Sequence, residues 1–452
     1  MKSSSERNRS AHKKMTWIIL FSGIGILLAA GIVMVLLYAN GYFYHRIDID
    51  IRSAAISVPI KERIASSTIS PSNMQDRVVS ALVKNTKTSP YTVHWYAIPG
   101  SISSIAAMES EYLLAYDQIL LLRCYIDSGK QKEAATLMKA IERDFTGSNG
   151  YLVPYRMVTE LSSLSSPQPR FAANEAYDEP PVASVFSTEA TVEYLRAVLE
   201  YYDKWGQPSD WTRILLLADL LYTDMEEYGV LPEDMTILVA PESEIPLDEN
   251  KYIVSIISEE VQQEGSFTAL ALTSLDLETF RILSSIDGKY QMLYDNALQV
   301  LQSAMISEDL PLYALGYSES AGGYVNFSGE KPQIDLVSSL KVILHLAEAG
   351  EESPSSILWI KEKLYNDGIL YQSYNILSGS EAGTEAEDAY GLVLQIARVT
   401  DDADLYAAAL TCLERNLATS YTSEARYAIF RQMDESRIVL YAKDNLQARL
   451  GM

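Results

Sequence analysis

Acidic residues stand at or near the start of most helical patterns in this chain of 452 residues. They are Glu109 and Glu111, Glu189 and Glu193, Asp276 and Glu278, Asp335, Glu385 with Glu387 and Asp388, and Asp434 with Glu435. Two opposed carboxyl groups can hydrolyse a glycosidic bond, because one protonates the leaving oxygen while the other activates water or attacks the sugar. Capping and the helix dipole also favour acids at helix starts, so a single acid is more often a cap than a catalyst. The pattern therefore has functional meaning only if the fold brings two such acids together.

Paired helical patterns beyond Gln75 indicate how these acids could meet. The first helices of the pairs are predicted at 103–128, 187–204, 274–286, 333–349, 384–399 and 434–448. The second helices are predicted at 75–84, 131–143, 209–227, 290–305, 355–365 and 402–417. About twelve helices without convincing central strands predict an all-α (α/α)6 toroid. Its inner helices point the same way, so their N-terminal loops would meet at one mouth.

The connections that lead into the inner helices are the long ones. They are predicted at 146–186, 229–267, 307–332, 367–383 and 418–433. Long loops gathered on one face of a scaffold usually carry function, although they can also be mere insertions. A helical-repeat protein that binds peptides would instead show a regular period of roughly 34 to 47 residues, which the irregular spacing does not match.

An apolar stretch near the N-terminus predicts a membrane anchor. Residues 17–39 carry no charge, and at ~1.5 Å per residue they can span a ~30 Å hydrocarbon core. The stretch is longer than the usual apolar region of a cleaved signal peptide. The basic residues before it place the N-terminus in the cytoplasm; they are Lys2, Arg7, Arg9, Lys13 and Lys14. We therefore predict a basic tail at 1–15, a transmembrane helix at 16–39, a linker with a short strand at 40–74, and an extracytoplasmic barrel at 75–452.

Composition narrows the classes of partner. A net charge of −24 disfavours nucleic acid as a partner. Thirty tyrosines suit surfaces that stack on and hydrogen-bond a sugar, although they equally suit a tyrosine-rich core.

Metals and cofactors have little support in the sequence. Cys124 and Cys412 lie in apolar helical patterns, which favours two buried thiols over a disulfide or a zinc site. The four histidines, His12, His45, His94 and His345, are scattered. No metal or cofactor motif is present, so we predict neither a metal nor a cofactor.

Several short motifs resemble glycoside hydrolase family 8 in the order in which that family has them. They are Ser110-Glu111 with Tyr112 and Tyr116, Arg196 to Glu200 with Trp205-Gly206, Leu310-Pro311-Leu312-Tyr313-Ala314, Asp335, and Gly368-Ile369-Leu370-Tyr371. The resemblance covers roughly residues 95–446 and is strongest to the secreted or membrane-anchored branch that is tied to bacterial exopolysaccharides. It implies the same six-hairpin barrel.

The resemblance also implies roles for particular residues. Glu111 would be the proton donor, with Glu109 as a competitor, and Asp335 the base of an inverting hydrolase, with the two carboxyl groups ~6.5 to 9.5 Å apart. The substrate, a polysaccharide or oligosaccharide, would be bound by Tyr112, Tyr116, Tyr155, Glu189, Tyr313, Tyr324, Tyr371 and Asp434.

Departures from the family pattern keep a second interpretation open. Ala190 and Thr191 stand where the family has an aspartate pair, and the arginine that follows the base is replaced near Ser338. The chain could therefore be a catalytically degenerate glycan-binding or scaffold protein of an exopolysaccharide synthesis or export system, in contact with a polysaccharide synthase complex.

Overall fold

The computed structural model describes residues 28, 31–34, 46–51, 57–67, 69–70, 73–83, 90–99, 107–161, 185–238, 266–319, 323–326, 333–421, 423, 425–432 and 437–452. The helices of these residues are α1 Val58–Ser66, α2 Val79–Leu82, α3 Ala115–Asp127, α4 Gln131–Phe145, α5 Thr188–Trp205, α6 Pro208–Tyr228, α7 Leu277–Ile286, α8 Gln291–Gln302, α9 Leu336–Ala349, α10 Pro354–Asn366, α11 Ala389–Val399, α12 Ala403–Arg415 and α13 Ala442–Gly451. A π-helical turn, Met74–Val78, leads directly into α2.

Helices α3, α5, α7, α9, α11 and α13 form a closed inner ring. Each packs against the next in this order, and α13 packs against α3 to complete the circle. Helices α4, α6, α8 and α12 each pack outside the ring against the inner helix before them, α10 packs against α12, and the π-helical turn with α2 packs against α13. The predicted (α/α)6 toroid is therefore confirmed in a mostly helical chain.

Burial explains which helix of a pair lies inside. The outer helix α6 buries Ile214, Ala218, Leu221 and Met225, whose spacing of four, three and four residues makes one stripe. Inner helix α5 instead buries residues on every side between Thr188 and Tyr202. A helix that is buried all round must lie between other helices, and this is the position of α5 in the ring.

Short strands surround the N-terminal ends of several inner helices. They are β1 Trp95–Pro99, β2 Met108–Glu109, β3 Tyr112–Leu114, β4 Tyr155–Met157, β5 Met235–Leu238, β6 Ser266–Ala271, β7 Gly316–Ser318, β8 Gly323–Val325, β9 Gln333–Asp335, β10 Tyr371–Asn375, β11 Glu381–Glu385, β12 Arg431–Gln432 and β13 Arg437–Tyr441. They make four sheets, ordered β12-β13-β1-β2, β3-β4, β5-β6-β7-β8 and β9-β10-β11.

These strands correct the predicted starts of two inner helices. The first was predicted from residue 103 but begins at Ala115, and the last was predicted from 434 but begins at Ala442. The residues before each helix are instead paired in the strands β2, β3 and β13. Strands β3, β9 and β13 run directly into α3, α9 and α13, so the sheets fix the geometry of the mouth.

The N-terminal region is described only in part. The predicted anchor at 16–39 lies mostly outside the described residues; those within it, 28 and 31–34, are helical with exposed side chains. No helix in the described part of the chain is both long and apolar enough to cross a bilayer.

The predicted linker at 40–74 is partly built into the barrel. Residues 46–51 form no strand, whereas α1 follows at Val58 and packs on α12. Ile60 and Ile69 are buried in the same hydrophobic core as the inner helices. The folded domain therefore includes residues that precede the predicted boundary at 75.

Candidate functional site

The mouth of the barrel is the surface formed by the N-terminal ends of the inner helices and the strands before them. The two-stranded sheet β3–β4 makes one wall, which carries Tyr112 and Tyr155, with Glu111 directly before β3. The Glu111 side chain is exposed, and its carbonyl accepts a hydrogen bond of 2.8 Å from the Val158 amide. The rings of Tyr112 and Tyr155 meet edge to face with centroids 6.4 Å apart.

Asp335 ends strand β9 and caps α9 on another wall of the mouth. Its Oδ2 accepts a hydrogen bond of 2.7 Å from the Ser338 amide. Across the sheet it lies opposite Ser373 of β10, and Tyr371 begins the same strand. Asp335 lies at the junction of β9 and α9, so it is held by the sheet on one side and by its capping hydrogen bond to the helix on the other.

Lys341 closes the centre of the barrel beneath the mouth. Its Nζ lies 2.7 Å from Glu189 Oε1 and 2.8 Å from Glu193 Oε1, and 4.3 Å from the centroid of the Tyr116 ring. Helices α3 and α9 are opposite members of the ring, so the Tyr116–Lys341 contact crosses its middle. Burial opposes ionisation of Glu189, but Lys341 outweighs it and lowers the pKa of Glu189. Glu189 is thus suited to accept hydrogen bonds rather than to donate a proton.

A second lysine, Lys443, interacts both with Tyr116 at the centre of the barrel and with Asp335. Lys443, at the start of α13, holds its Nζ 3.2 Å from Asp388 Oδ2 and interacts electrostatically with Tyr116 and Asp335. Burial would raise the pKa of Asp388, but Lys443 and Arg431 together lower it. Cations and carboxylates therefore alternate around Tyr116 at the mouth. Neither lysine was predicted as a site residue, because both lie inside helical patterns of the sequence.

Glu109 and Glu111 differ strongly in environment although they are neighbours in the chain. Glu109 is 4% exposed on β2, where it pairs with Tyr96, whereas Glu111 is exposed. A general acid profits from an apolar surrounding, and the exposed position of Glu111 in this structure does not provide one. The structure thus gives Glu109 the buried environment and Glu111 the solvent-accessible position.

Three of the predicted sugar-binding residues are not at the mouth surface or are not described. Tyr313 is 3% exposed, and its hydroxyl interacts with Ser353 and Ser356 at the start of outer helix α10. The Tyr324 hydroxyl donates to the Val300 carbonyl of α8 at 2.7 Å. Asp434 lies outside the described residues.

Asp234 is a further acid near the mouth that the sequence did not reveal. Its Oδ2 accepts a hydrogen bond of 2.6 Å from the Thr188 amide, at the first residue of α5. Burial raises the pKa of Asp234 to about 7. Its position within a long predicted mouth loop was the only available signal, because no motif surrounds it.

Asp276, one of the acids at predicted helix starts, lies deep in the barrel and not at the mouth. It caps α7 and is fully buried, with both carboxylate oxygens 3.3 Å from Arg196 Nη1. Its neighbours His345 and Glu348 come from the last turns of α9. Helix α7 therefore begins lower in the barrel than the helices beside it.

Asp276, His345 and Glu348 could in principle hold a metal ion, since one ligand atom of each lies within 4.8 Å of the others. Arg196 already stands among them, with Nη1 2.6 Å from Glu348 Oε2. Burial opposes ionisation of Glu348, but Arg196 outweighs it and lowers the pKa of Glu348 to about 2. The guanidinium thus provides the positive charge that these carboxylates need, and the residues do not fit a metal centre well.

Comparison with known proteins supports this architecture. No family model matches the chain, and no curated protein matches it in sequence. A solved structure described as a novel alpha-amylase from Clostridium perfringens is similar with a TM-score of 0.60 and 22% identity, covering 87% of this chain and 98% of that one. PssZ from Listeria monocytogenes is similar with a TM-score of 0.50 and 12% identity, covering 83% of this chain and 93% of that one.

The chain shares the (α/α)6 barrel fold of these structures. Identities this low establish the fold alone, and a fold can host several chemistries.

Proposed function

We propose that this protein is a glycoside hydrolase that cleaves a polysaccharide at the mouth of its six-hairpin barrel. The observation that carries the proposal is the junction of β9 and α9, which presents Asp335 at the same end of the barrel as Glu111 and the β3–β4 sheet. The similar structure named an alpha-amylase gives the same class of reaction a precedent on this fold.

In the proposed mechanism, Glu111 protonates the glycosidic oxygen while Asp335 removes a proton from water on the opposite face of the sugar. The Ser338 amide binds Oδ2 of Asp335, which orients the carboxylate. Tyr155 and Tyr371, which are partly exposed, offer ring faces and hydroxyls to the sugars, and Glu189 offers a carboxylate that accepts hydrogen bonds from sugar hydroxyls.

A glycan-binding protein without catalysis is the second candidate. It is favoured by Ser338, which stands near the position where the family resemblance leads one to expect an arginine, and by the exposure of Glu111. In this case the tyrosines and Glu189 would still bind sugar, but no carboxyl pair would act on the bond.

Attachment to a membrane through residues 16–39 is also part of the proposal. Residues 46–51 lie against the base of the barrel, which is the end opposite the mouth. The Ile47 amide donates to the Tyr202 hydroxyl at 2.9 Å, and Arg281 donates to the Asp50 carbonyl at 2.6 Å. This arrangement supports an anchor that holds the barrel by its base, with the substrate reaching the mouth from outside the cytoplasm.

The test compares the wild-type chain with Glu111→Gln, Glu109→Gln and Asp335→Asn on soluble starch, a β-1,4-glucan and the exopolysaccharide of the host. Loss of a general acid or base should lower kcat roughly 10²- to 10⁴-fold. Asn retains the capping ability of Asp335, whereas Asp335→Ala should also destabilise the fold by about 1 kcal/mol.

Each result selects one interpretation. A large loss in Glu111→Gln but not in Glu109→Gln identifies Glu111 as the donor, and the reverse identifies Glu109. Equal background turnover by the wild type and all variants would contradict the hydrolase. Polysaccharide binding by that same inactive wild type would support the glycan-binding alternative.

A further inference from the structure

A histidine–aspartate pair lies at the mouth beside the proposed proton donor. Nδ1 of His94 is 2.8 Å from Oδ2 of Asp117, which is in the first turn of α3. The carboxylate side chain is 0% exposed and the imidazole 17% exposed. The pair therefore has a buried anchoring group and a partly accessible ring.

Two hydrogen bonds of the His94 backbone connect it to the segment before β3 and to the start of α13. Its amide donates to Ser110 Oγ at 3.0 Å, one residue before Glu111. Its carbonyl accepts from the Ala442 amide at 2.9 Å, at the first residue of α13. His94 is thus fixed between the N-terminal ends of α3 and α13, next to Lys443.

Aromatic rings hold the imidazole in place on two sides. The ring of Tyr112 lies 5.4 Å away by centroid, and that of Tyr441 lies 5.7 Å away in an edge-on orientation. With Asp117 below, these contacts restrict the rotation of the His94 side chain. An imidazole held in this way can present one nitrogen at a constant position.

The hydrogen-bond pattern decides which nitrogen that is. A carboxylate accepts hydrogen bonds, so the hydrogen of the His94–Asp117 contact is assigned to Nδ1, and a ring that carries this single hydrogen has its lone pair on Nε2. Among the described residues, Nε2 has no hydrogen-bond partner. Oδ1 of Asp117 is also buried without a hydrogen-bond partner in the described part of the chain. A carboxylate buried for stability alone is normally better satisfied than this.

We propose that His94 is a sugar-binding residue of this site and that Asp117 is its positioning residue. Nε2 accepts a hydrogen bond from a hydroxyl group of the glycan, at the subsite between Tyr112 and the start of α13. This inference rests on the proposed glycan-binding mouth but does not require that the chain hydrolyse its ligand.

The test uses the full-length chain in detergent with ¹⁵N-labelled histidine, and maltohexaose and cellohexaose as probes. His94 is assigned by its loss in a His94→Asn variant. In the free protein, long-range ¹H–¹⁵N correlations should show His94 protonated at Nδ1. Saturation with the oligosaccharide that binds should shift the Nε2 resonance of His94.

Two substitutions separate recognition from stability. His94→Asn keeps an amide near the position of Nδ1, so the contact with Asp117 can persist while the acceptor at Nε2 is lost. We expect Kd for the oligosaccharide to rise roughly three- to tenfold, as for one lost hydrogen bond. His94→Gln, with an amide near the position of Nε2, should recover part of this affinity. Thermal unfolding of both variants shows whether either loses the fold.

The outcomes distinguish this inference from the proposed function. If the wild type binds an oligosaccharide, but the Nε2 resonance does not move and His94→Asn binds equally well, the role of His94 is contradicted and the glycan site stands. If His94 is found protonated at Nε2 instead, the acceptor role is overturned. If the wild type binds neither probe nor the exopolysaccharide of the host, the proposed glycan site itself fails, and the assignment of His94 to it fails as well.

Discussion

At the scale of single residues, Asp234 is an acid whose environment differs strongly from that of an aspartate in water. Its Oδ2 is bonded to the Thr188 amide, while Oδ1 is buried without a hydrogen-bond partner among the described residues. Burial without a cation disfavours the charged form, and the pKa of Asp234 is accordingly raised to about 7. This contrasts with Glu348, where burial is accompanied by Arg196 and the pKa falls to about 2.

Asp234→Asn should change how stability depends on pH. The folded wild type retains the Asp234 proton up to about pH 7, whereas an unfolded aspartate loses it near pH ~4. The folded state binds more protons in this window, so the wild type loses stability as pH rises from about 4 to 7. The variant lacks this titration and can still accept the Thr188 hydrogen bond. Its stability relative to wild type should therefore improve by ~2 kcal/mol between pH 5 and pH 8.

Urea denaturation at both pH values measures this difference. Asp404→Asn is the matched control, because Asp404 is an exposed acid in the first turn of α12. An Asp234→Asn curve that runs parallel to the wild-type curve across pH, as the control should, would contradict the raised pKa.

Residues of the candidate site could be predicted from the sequence where a family-like motif falls at the start of a predicted helix. Asp335 was predicted from a short motif at a helix start, and it caps α9 at the mouth. Lys341, Lys443 and His94 could not be predicted in this way. Each acquires its role from a partner brought close by the ring, such as Glu189 for Lys341, which is 152 positions away.

At the scale of elements, α11 and α13 pack with their backbones in close contact at two glycines. A Cβ at Gly391 would lie 2.6 Å from the amide nitrogen of Ala448, and one at Gly451 would lie 2.6 Å from the Gly391 carbonyl oxygen. These contacts involve backbone atoms, which cannot rotate away. The last inner helix can therefore close the ring only because both positions are glycine.

Gly391→Ala should destabilise the barrel by about 1–3 kcal/mol, because overpacking outweighs the helix propensity that alanine gains. Gly288→Ala is the control, since a Cβ there meets nothing within 4 Å. Thermal unfolding of the two variants gives the comparison. Equal midpoints would show that α11 and α13 can separate without cost.

Helices were predicted better than strands for a physical reason. Helix α5 was predicted at 187–204 and found at Thr188–Trp205, since its apolar periodicity is contained in one segment. Strand β1 pairs with β13, more than three hundred residues later, and β2 has only two residues. Such short strands depend on partners that the local sequence does not contain.

At the scale of the whole molecule, the two ends of the barrel differ in chemistry. The mouth carries Asp335, Tyr116 and the two lysines. The base has a cavity of about 270 Å³ whose charged lining includes Arg123, Arg196, Glu200 and Glu348, and Ile51 of the N-terminal segment lines it as well. Arg123 and Glu200 are bonded to each other at 2.8 Å. The charges at the base are thus neutralised by ion pairs within the barrel. The N-terminal segment lies over this end.

The base should therefore face the membrane if residues 16–39 anchor the chain. Six residues lie between the end of the predicted anchor at 39 and Arg46, so these seven residue-to-residue steps reach at most ~25 Å. Inner helices of up to 18 residues add ~27 Å between base and mouth. A dye at the base should lie markedly closer to the bilayer than a dye at the mouth.

Energy transfer to labelled lipid headgroups in vesicles measures this difference. Single cysteines at Glu352, in the exposed loop after α9, and at Leu377, 56% exposed at the tip of the β10–β11 hairpin, carry the donor dye. Cys124 and Cys412 are buried and are replaced by alanine. We expect more efficient transfer from position 352 than from 377. Stronger transfer from 377 would mean that the mouth faces the lipid, and no transfer from either would mean that the chain has no anchor in these vesicles.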